Sequence, residues 1–160
     1  MIRLAEKIID NEDIENLKGW LDKTDIYTKG EETILFEKEW SEWIGTDYSV
    51  FVNSGSSANL LVVLSMIHAN KKIIVPAVSW VTTVSPAMQL GLEPILCDAD
   101  KDDLGFDIQD FEKLCKEHRP SAAILVHVLG HSNKMEQLMS ICKKYDVLLV
   151  EDCCEAYGSQ

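Results

Sequence analysis

Positive charge is scarce in this sequence: 15 Lys and Arg face 27 Asp and Glu across 160 residues, a formal charge of −12 at pH 7. That balance repels phosphate backbones, and no local basic stripe offsets it, so nucleic acid is excluded as a partner. Long apolar runs are missing as well. None approaches a membrane span, and the start (Met1, Ile2, Arg3, then Glu6 and Asp10) lacks the apolar core of a signal peptide. Repeats, low-complexity tracts and Pro/Gly/Ser linkers are also absent, and the length suits one ordinary domain rather than two. The cysteines (Cys97, Cys115, Cys142, Cys153 and Cys154) are odd in number and lie in or beside apolar runs, as reduced thiols do. The expectation is a cytoplasmic protein that makes no use of a membrane. With 46% hydrophobic and 26% charged residues, the chain is neither disordered nor fibrous.

What is present changes character along the chain. Residues 11–22 repeat apolar side chains at Ile14, Leu17 and Leu21, a helical period, and Asp25 to Gly30 breaks it. A second helix carries Phe36, Trp40, Trp43 and Ile44 on one face and stops at Gly45. Residues 1–45 are thus expected to be a helical segment and 46–160 the first part of a larger α/β domain. From there, strands are expected at 49–53, 72–75, 94–98, 122–127 and 147–151, alternating with helices at 57–68, 82–90, 108–118 and 133–145. Gly91 is read as a helix stop, and Asp107 and Ser132 as helix N-caps. The strands are apolar throughout, as in a mostly parallel sheet covered by helices on both faces. The fold class is an open α/β sheet.

In such sheets ligands bind beyond the carboxyl ends of the strands. Ser54-Gly55-Ser56-Ser57-Ala58-Asn59 joins a strand to a helix faced by Leu60, Leu61, Leu64 and Ile67. A helix start offers unpaired N–H groups, Gly55 permits close approach and the serines add donors, which suits a phosphate. A lone Ser/Gly turn is more often a capped helix with nothing bound. No G-x-x-x-x-G-K-[ST], G-x-G-x-x-G or G-x-S-x-G pattern surrounds these serines. Glu151 and Asp152 end an apolar strand, where they either meet a ligand or merely cap the strand. Trp80 follows Pro76-Ala77-Val78-Ser79 and either fills the core or covers a planar ligand. Two imitations fail. Asp98, Asp100 and Asp102 resemble a calcium loop, but Asp103 and Gln109 stand where its glycine and closing glutamate belong. His127 and His131 with Cys153 and Cys154 match no common zinc spacing, so no metal site is expected.

The order of these signals is more specific than any one of them. The stretches 52–60 (Val-Asn-Ser-Gly-Ser-Ser-Ala-Asn-Leu), 74–83, 126–130 and 150–159 together resemble the N-terminal part of the DegT/DnrJ/EryC1/StrS sugar aminotransferase family, pyridoxal-phosphate enzymes of fold type I. The resemblance runs from about Thr28 to the last residue. It implies that Gly55, Ser56 and Ser57 hold the phosphate of pyridoxal 5'-phosphate, that Trp80 stacks on its ring and that Asp152 pairs with its pyridine nitrogen. Glu155, where the aminotransferases commonly have Gln or His, implies contact with the other side of the ring. It further implies a nucleotide-linked keto-sugar substrate of polysaccharide biosynthesis, an amino donor, and a homodimer at full length. Aminotransfer is the first expectation. The alternative is the family's sugar 3-dehydratase branch, which Glu155 and the Asn-Ser-Gly-Ser-Ser-Ala-Asn wording resemble and which uses a His in place of the Schiff-base Lys. A third reading, from another class, is a non-catalytic α/β binding domain. That Lys or His is expected beyond Gln160, since Lys143 and Lys144 read as solvent-facing; the chain alone is therefore expected to be an inactive front portion.

Overall fold

The computed structural model describes residues 8–66 and 70–158. They form two units, parted between Phe51 and Val52. The first holds two helices, α1 (Asn11–Leu21) and α2 (Glu31–Ile44). Asp10 starts α1 with a capping box: its carboxylate accepts the N–H groups of Glu12 (2.8 Å) and Asp13 (3.1 Å), and Asp13 accepts the N–H of Asp10 in return (2.9 Å). α2 ends at Gly45, whose φ of +75° is the left-handed cap that glycine adopts without strain. Its aromatic stripe is held by ring contacts, Phe36 to Trp40 and Trp40 to Trp43.

The second unit runs α3 (Gly55–Ser65), β1 (Lys72–Pro76), α4 (Val81–Gln89), β2 (Glu93–Cys97), α5 (Ile108–His118), β3 (Ala122–Val126), α6 (Met135–Tyr145), β4 (Leu148–Asp152). Its strands pair in parallel in the order β2-β1-β3-β4, the open α/β sheet that alternating strand and helix patterns imply. Because side chains alternate along a strand, the sheet separates two cores. Ile73 and Val75 of β1 and Ala122 and Ile124 of β3 pack with Val63 of α3 and Ala87 of α4. Ile74, Ala123 and Leu125 face the other way, against Phe111 and Leu114 of α5 and Leu138 and Ile141 of α6. The two central strands are thus buried on both sides, which is why they are apolar at every buried position. Asp107 caps α5 as expected, accepting the N–H of Asp110 at 2.9 Å, and Gly91 (φ +71°) follows α4. No described helix is long and apolar enough to cross a membrane.

Three expectations are corrected. Residues 49–53 form no strand. Their β-branched run suits one, but a strand exists only as a ladder with a neighbour, and no ladder among the described residues includes them; the Phe51 N–H donates instead to the Glu37 carboxylate (2.9 Å). The helix expected from Ser57 begins at Gly55, and its expected end at His68, with Ile67, lies outside the described residues, as do Ser159, Gln160, Met1, Ile2, Arg3 and Glu6. Ser132 is not an N-cap: α6 begins at Met135 after Lys134, and the Ser132 hydroxyl donates to the Asn133 carbonyl (3.2 Å). The side chain of Asn133 is engaged with β3, which holds this segment off the helical path.

Candidate functional site

With β2 on one side of β1 and β3 on the other, the winding reverses between β1 and β3, and the carboxyl ends of those strands open the crevice in which such sheets bind ligands. Three segments converge there. Ser54, extended at φ −166°, caps α3 by accepting the Ser57 N–H at 3.2 Å, and its hydroxyl donates to Ser57 Oγ at 3.2 Å. The N–H groups of Gly55 and Ser56 have no partner among the described residues, and nothing stands within 4 Å of where a Gly55 Cβ would be. These are two donors at the positive end of a helix, open on one side, and they fit an anion such as a phosphate.

Asn59, one turn along α3, joins that helix start to the other two segments. Its Nδ2 donates to Asp152 Oδ2 at the end of β4 (3.4 Å) and to the Thr82 carbonyl in the first turn of α4 (3.3 Å). The second bond has a sequence cause. The residue four beyond Thr82 is Pro86, which has no N–H, so the Thr82 carbonyl loses its helical partner and takes Asn59 instead. Asp152 Oδ1 meanwhile accepts the Cys154 N–H at 3.1 Å. Each oxygen keeps a lone pair for a further donor, as a pyridinium nitrogen would be. Trp80 immediately precedes α4 and is 76% exposed, so it does not fill the core. Gly55, Ser56, Ser57 and Asp152 are therefore brought together through Asn59, with Trp80 two residues from its third anchor.

Glu155 is placed by a different device. Its Oε2 accepts the N–H of Leu129 at 2.7 Å, in a tight turn after β3 where Leu129 has a left-handed φ of 55°. Behind that turn, His127 is buried and its Nδ1 receives the N–H of Asn133 (3.2 Å). A ring nitrogen that accepts carries no proton, so Nε2 holds it and donates to Glu151 Oε2 at 3.0 Å. This tautomer bears on the one cluster with metal-ligand chemistry among the described residues, in which single ligand atoms of His127, Glu151 and Cys153 lie within 4.8 Å of one another. A metal on Nε2 would need the proton on Nδ1, where the Asn133 backbone N–H already points. The donor set does not fit an ion.

The remaining polar features are spent structurally. Asp100 accepts the Asp102 N–H (2.8 Å) and pairs with Lys134, and Asp103 accepts the Gly105 N–H (2.8 Å), so the calcium-like run is a turn. Lys143 and Lys144 are exposed on α6, with Lys144 bound to Glu112 at 2.6 Å. Burial pushes the Cys154 thiol up to about 11, helped by its hydrogen bond to Asp152 and the charges of Asp152 and Glu155. A shallow groove of about 470 Å³ between α5 and α6 is lined by Ile108, Glu112, Ser140 and Lys144, none of them a residue of the candidate site. Asn59, His127 and Asn133 escaped the sequence reading as site residues. The usable signal for the first was Pro86, four residues after Thr82.

Known proteins resemble this arrangement. The chain matches the DegT/DnrJ/EryC1/StrS aminotransferase family over residues 7–160. It is 33% identical over 164 residues to the GDP-4-keto-6-deoxy-D-mannose 3-dehydratase of Yersinia pseudotuberculosis, covering 98% of this chain and 41% of that protein. The solved Escherichia coli GDP-4-keto-6-deoxy-D-mannose-3-dehydratase with bound hydrated PLP superposes with a TM-score of 0.90 at 32% identity, over 98% of this chain and 42% of that one. Helicobacter pylori PseC, an aminotransferase involved in pseudoaminic acid biosynthesis, superposes at a TM-score of 0.84 and 27% identity, over 94% of this chain and 40% of that one. The chain thus spans about two fifths of the length of these relatives.

Proposed function

The chain belongs to the DegT/DnrJ/EryC1/StrS aminotransferase family, and from that premise we propose that it is the cofactor-binding portion of a pyridoxal-phosphate enzyme that removes the C-3 hydroxyl of a nucleotide-linked 4-keto-6-deoxy sugar. The observation that carries the cofactor is the open start of α3, tied through Asn59 to the carboxylate of Asp152. Gly55 and Ser56 offer backbone N–H groups to the phosphate and Ser57 its hydroxyl. Trp80 lays an exposed indole over the ring. Asp152 holds the proton on the pyridine nitrogen, and Glu155 faces the ring from the segment after β4, held there by the Leu129 N–H. When bound, pyridoxal phosphate supplies an electron sink for a carbanion.

The resemblance placed aminotransfer first. Dehydration is now preferred because the dehydratase relative is 33% identical against 27% for the aminotransferase PseC, and because position 155 is a glutamate. The complete gene product, incubated with pyridoxal phosphate, glutamate and GDP-4-keto-6-deoxymannose, is expected to yield a sugar lacking the C-3 hydroxyl by mass spectrometry. A product that gains an amino group instead returns the reading to aminotransfer. Failure to take up the cofactor at all points to a binding domain without chemistry.

A further inference from the structure

Asn133 is 95% buried on relative exposure, and its side chain makes three bonds at once. Nδ2 donates to the Val126 carbonyl (3.0 Å) and lies 3.3 Å from His127 Nδ1, while Oδ1 accepts the Phe106 N–H (3.0 Å). Together with its backbone N–H on His127 Nδ1 (3.2 Å), these bonds close the base of the 127–133 segment where it leaves β3. The tip of that segment is stitched to the 151–155 segment by three rungs. The His127 N–H donates to the Asp152 carbonyl (3.1 Å), His127 Nε2 to Glu151 (3.0 Å) and the Leu129 N–H to Glu155 (2.7 Å). Gly105 completes the clasp: a Cβ there would stand 2.1 Å from Asn133 Oδ1, so only glycine lets the amide lie against this backbone.

We propose that Asn133 is a positioning residue of the site, acting through the fixed tautomer of His127 and the 128–130 turn to set the carboxylate of Glu155 and the strand end that carries Asp152. The assignment of those acids to a cofactor rests on the reading under Proposed function; the clasp itself does not. Asn133 touches neither ligand nor reacting atoms. Its effect is to keep the Leu129 N–H within 2.7 Å of Glu155 in spite of a backbone conformation that leucine seldom adopts.

The test has one readout without cofactor and one with it, both in the protein as its gene encodes it. In the cofactor-free protein, amide exchange at Leu129 is expected to accelerate about tenfold or more in Asn133→Ala and in Glu155→Ala. His127→Asn keeps an acceptor at the Nδ1 position and should preserve Leu129 protection, whereas His127→Gln keeps only the donor toward Glu151 and should lose it. With pyridoxal phosphate added, Asn133→Ala should shift the visible band in the direction that Glu155→Ala shifts it, and the double variant should go no further than Glu155→Ala alone. If Asn133→Ala fails to fold, Gly105→Ala and the two His127 variants carry the exchange test. Unchanged Leu129 exchange in the Asn133 and His127→Gln variants, or additive spectral shifts, overturns the proposal. A wild type that binds no pyridoxal phosphate overturns the site reading instead, and Leu129 exchange then decides the clasp alone.

Discussion

At the residue scale, the candidate site is a set of backbone and side-chain donors placed around one carboxylate. Asp152 has a donor on each oxygen, so asparagine keeps its shape and one of those two bonds but removes the charge that holds a ring proton. In the complete enzyme, Asp152→Asn is expected to fold, at the cost of that one bond, and to lose nearly all turnover, measured with saturating cofactor. Trp80 is a lesser contributor. Stacking is worth about 0.5–1.5 kcal/mol, so Trp80→Ala should weaken cofactor binding by about two- to tenfold in a fluorescence titration; an unchanged affinity would remove the indole from the site. The thiols divide by exposure. Cys97, Cys115 and Cys142 are buried, with burial pushing Cys115 up to about 12 and Cys142 to about 11. Because the thiolate is the nucleophile and both exposed thiols are raised, alkylation of native protein near pH 7 should be slow at Cys153 and Cys154, quicken with rising pH (at Cys154 as pH approaches about 11), and spare the other three; peptide mass mapping reads this directly. Legibility at this scale follows strand ends. Gly55, Ser56, Ser57, Trp80 and Asp152 stand at or just past apolar runs, where position leaves a ligand and a mere cap both open, and the family resemblance assigns their roles and that of Glu155. Asn59 and Asn133 are single polar residues with no period, and only the partners they meet in space reveal their work.

At the element scale, α4 is the unusual member, because Pro86 sits in its interior and its missing N–H is replaced by a side chain from α3. Asn59→Ala should therefore destabilise the fold by about 1 kcal/mol in urea unfolding. In a Pro86→Ala background, Thr82 regains a helical donor and the same substitution should cost less. Equal costs in both backgrounds would mean that Asn59 does not serve that carbonyl. The elements themselves were largely legible, since helices α1, α4 and α5 and all four strands lie within a residue or two of their sequence patterns. Two of the corrections share a cause. The 49–53 run and the Ser132 cap were judged on local preference, whereas Glu37 and Asn133 supply nonlocal partners that outbid it.

At the scale of the whole molecule, a chain of formal charge −12 keeps several of its carboxylates beside lysines. Hydrogen bonds from Lys29, Lys134 and Lys144 hold Glu37, Asp100 and Glu112 below the usual carboxylate range. A carboxyl group whose folded value is depressed stabilises fully above its unfolded value and loses that contribution as pH falls through the folded one. Lys134 and Lys144 are raised, so on the alkaline side their contribution lasts until pH passes their folded values. The thermal midpoint should therefore fall as the medium is acidified below about pH 4, and Asp100→Asn should make that decline shallower; an unchanged acid limb would assign the decline to other groups. The sheet has a consequence of another kind. Because β1 and β3 are apolar at every buried position, sliding either by one residue trades one greasy set for another, and hydrophobicity encodes almost nothing about alignment. The address is written at the strand entrances instead, where the Ser121 hydroxyl meets the carbonyls of Asn70 (3.0 Å) and Lys72 (3.2 Å) and the Asn70 side-chain oxygen accepts the Lys72 N–H (3.2 Å). The interior of the sheet is redundant text that can drift among Val, Ile and Leu, and a few polar characters at its margin keep the lines in order.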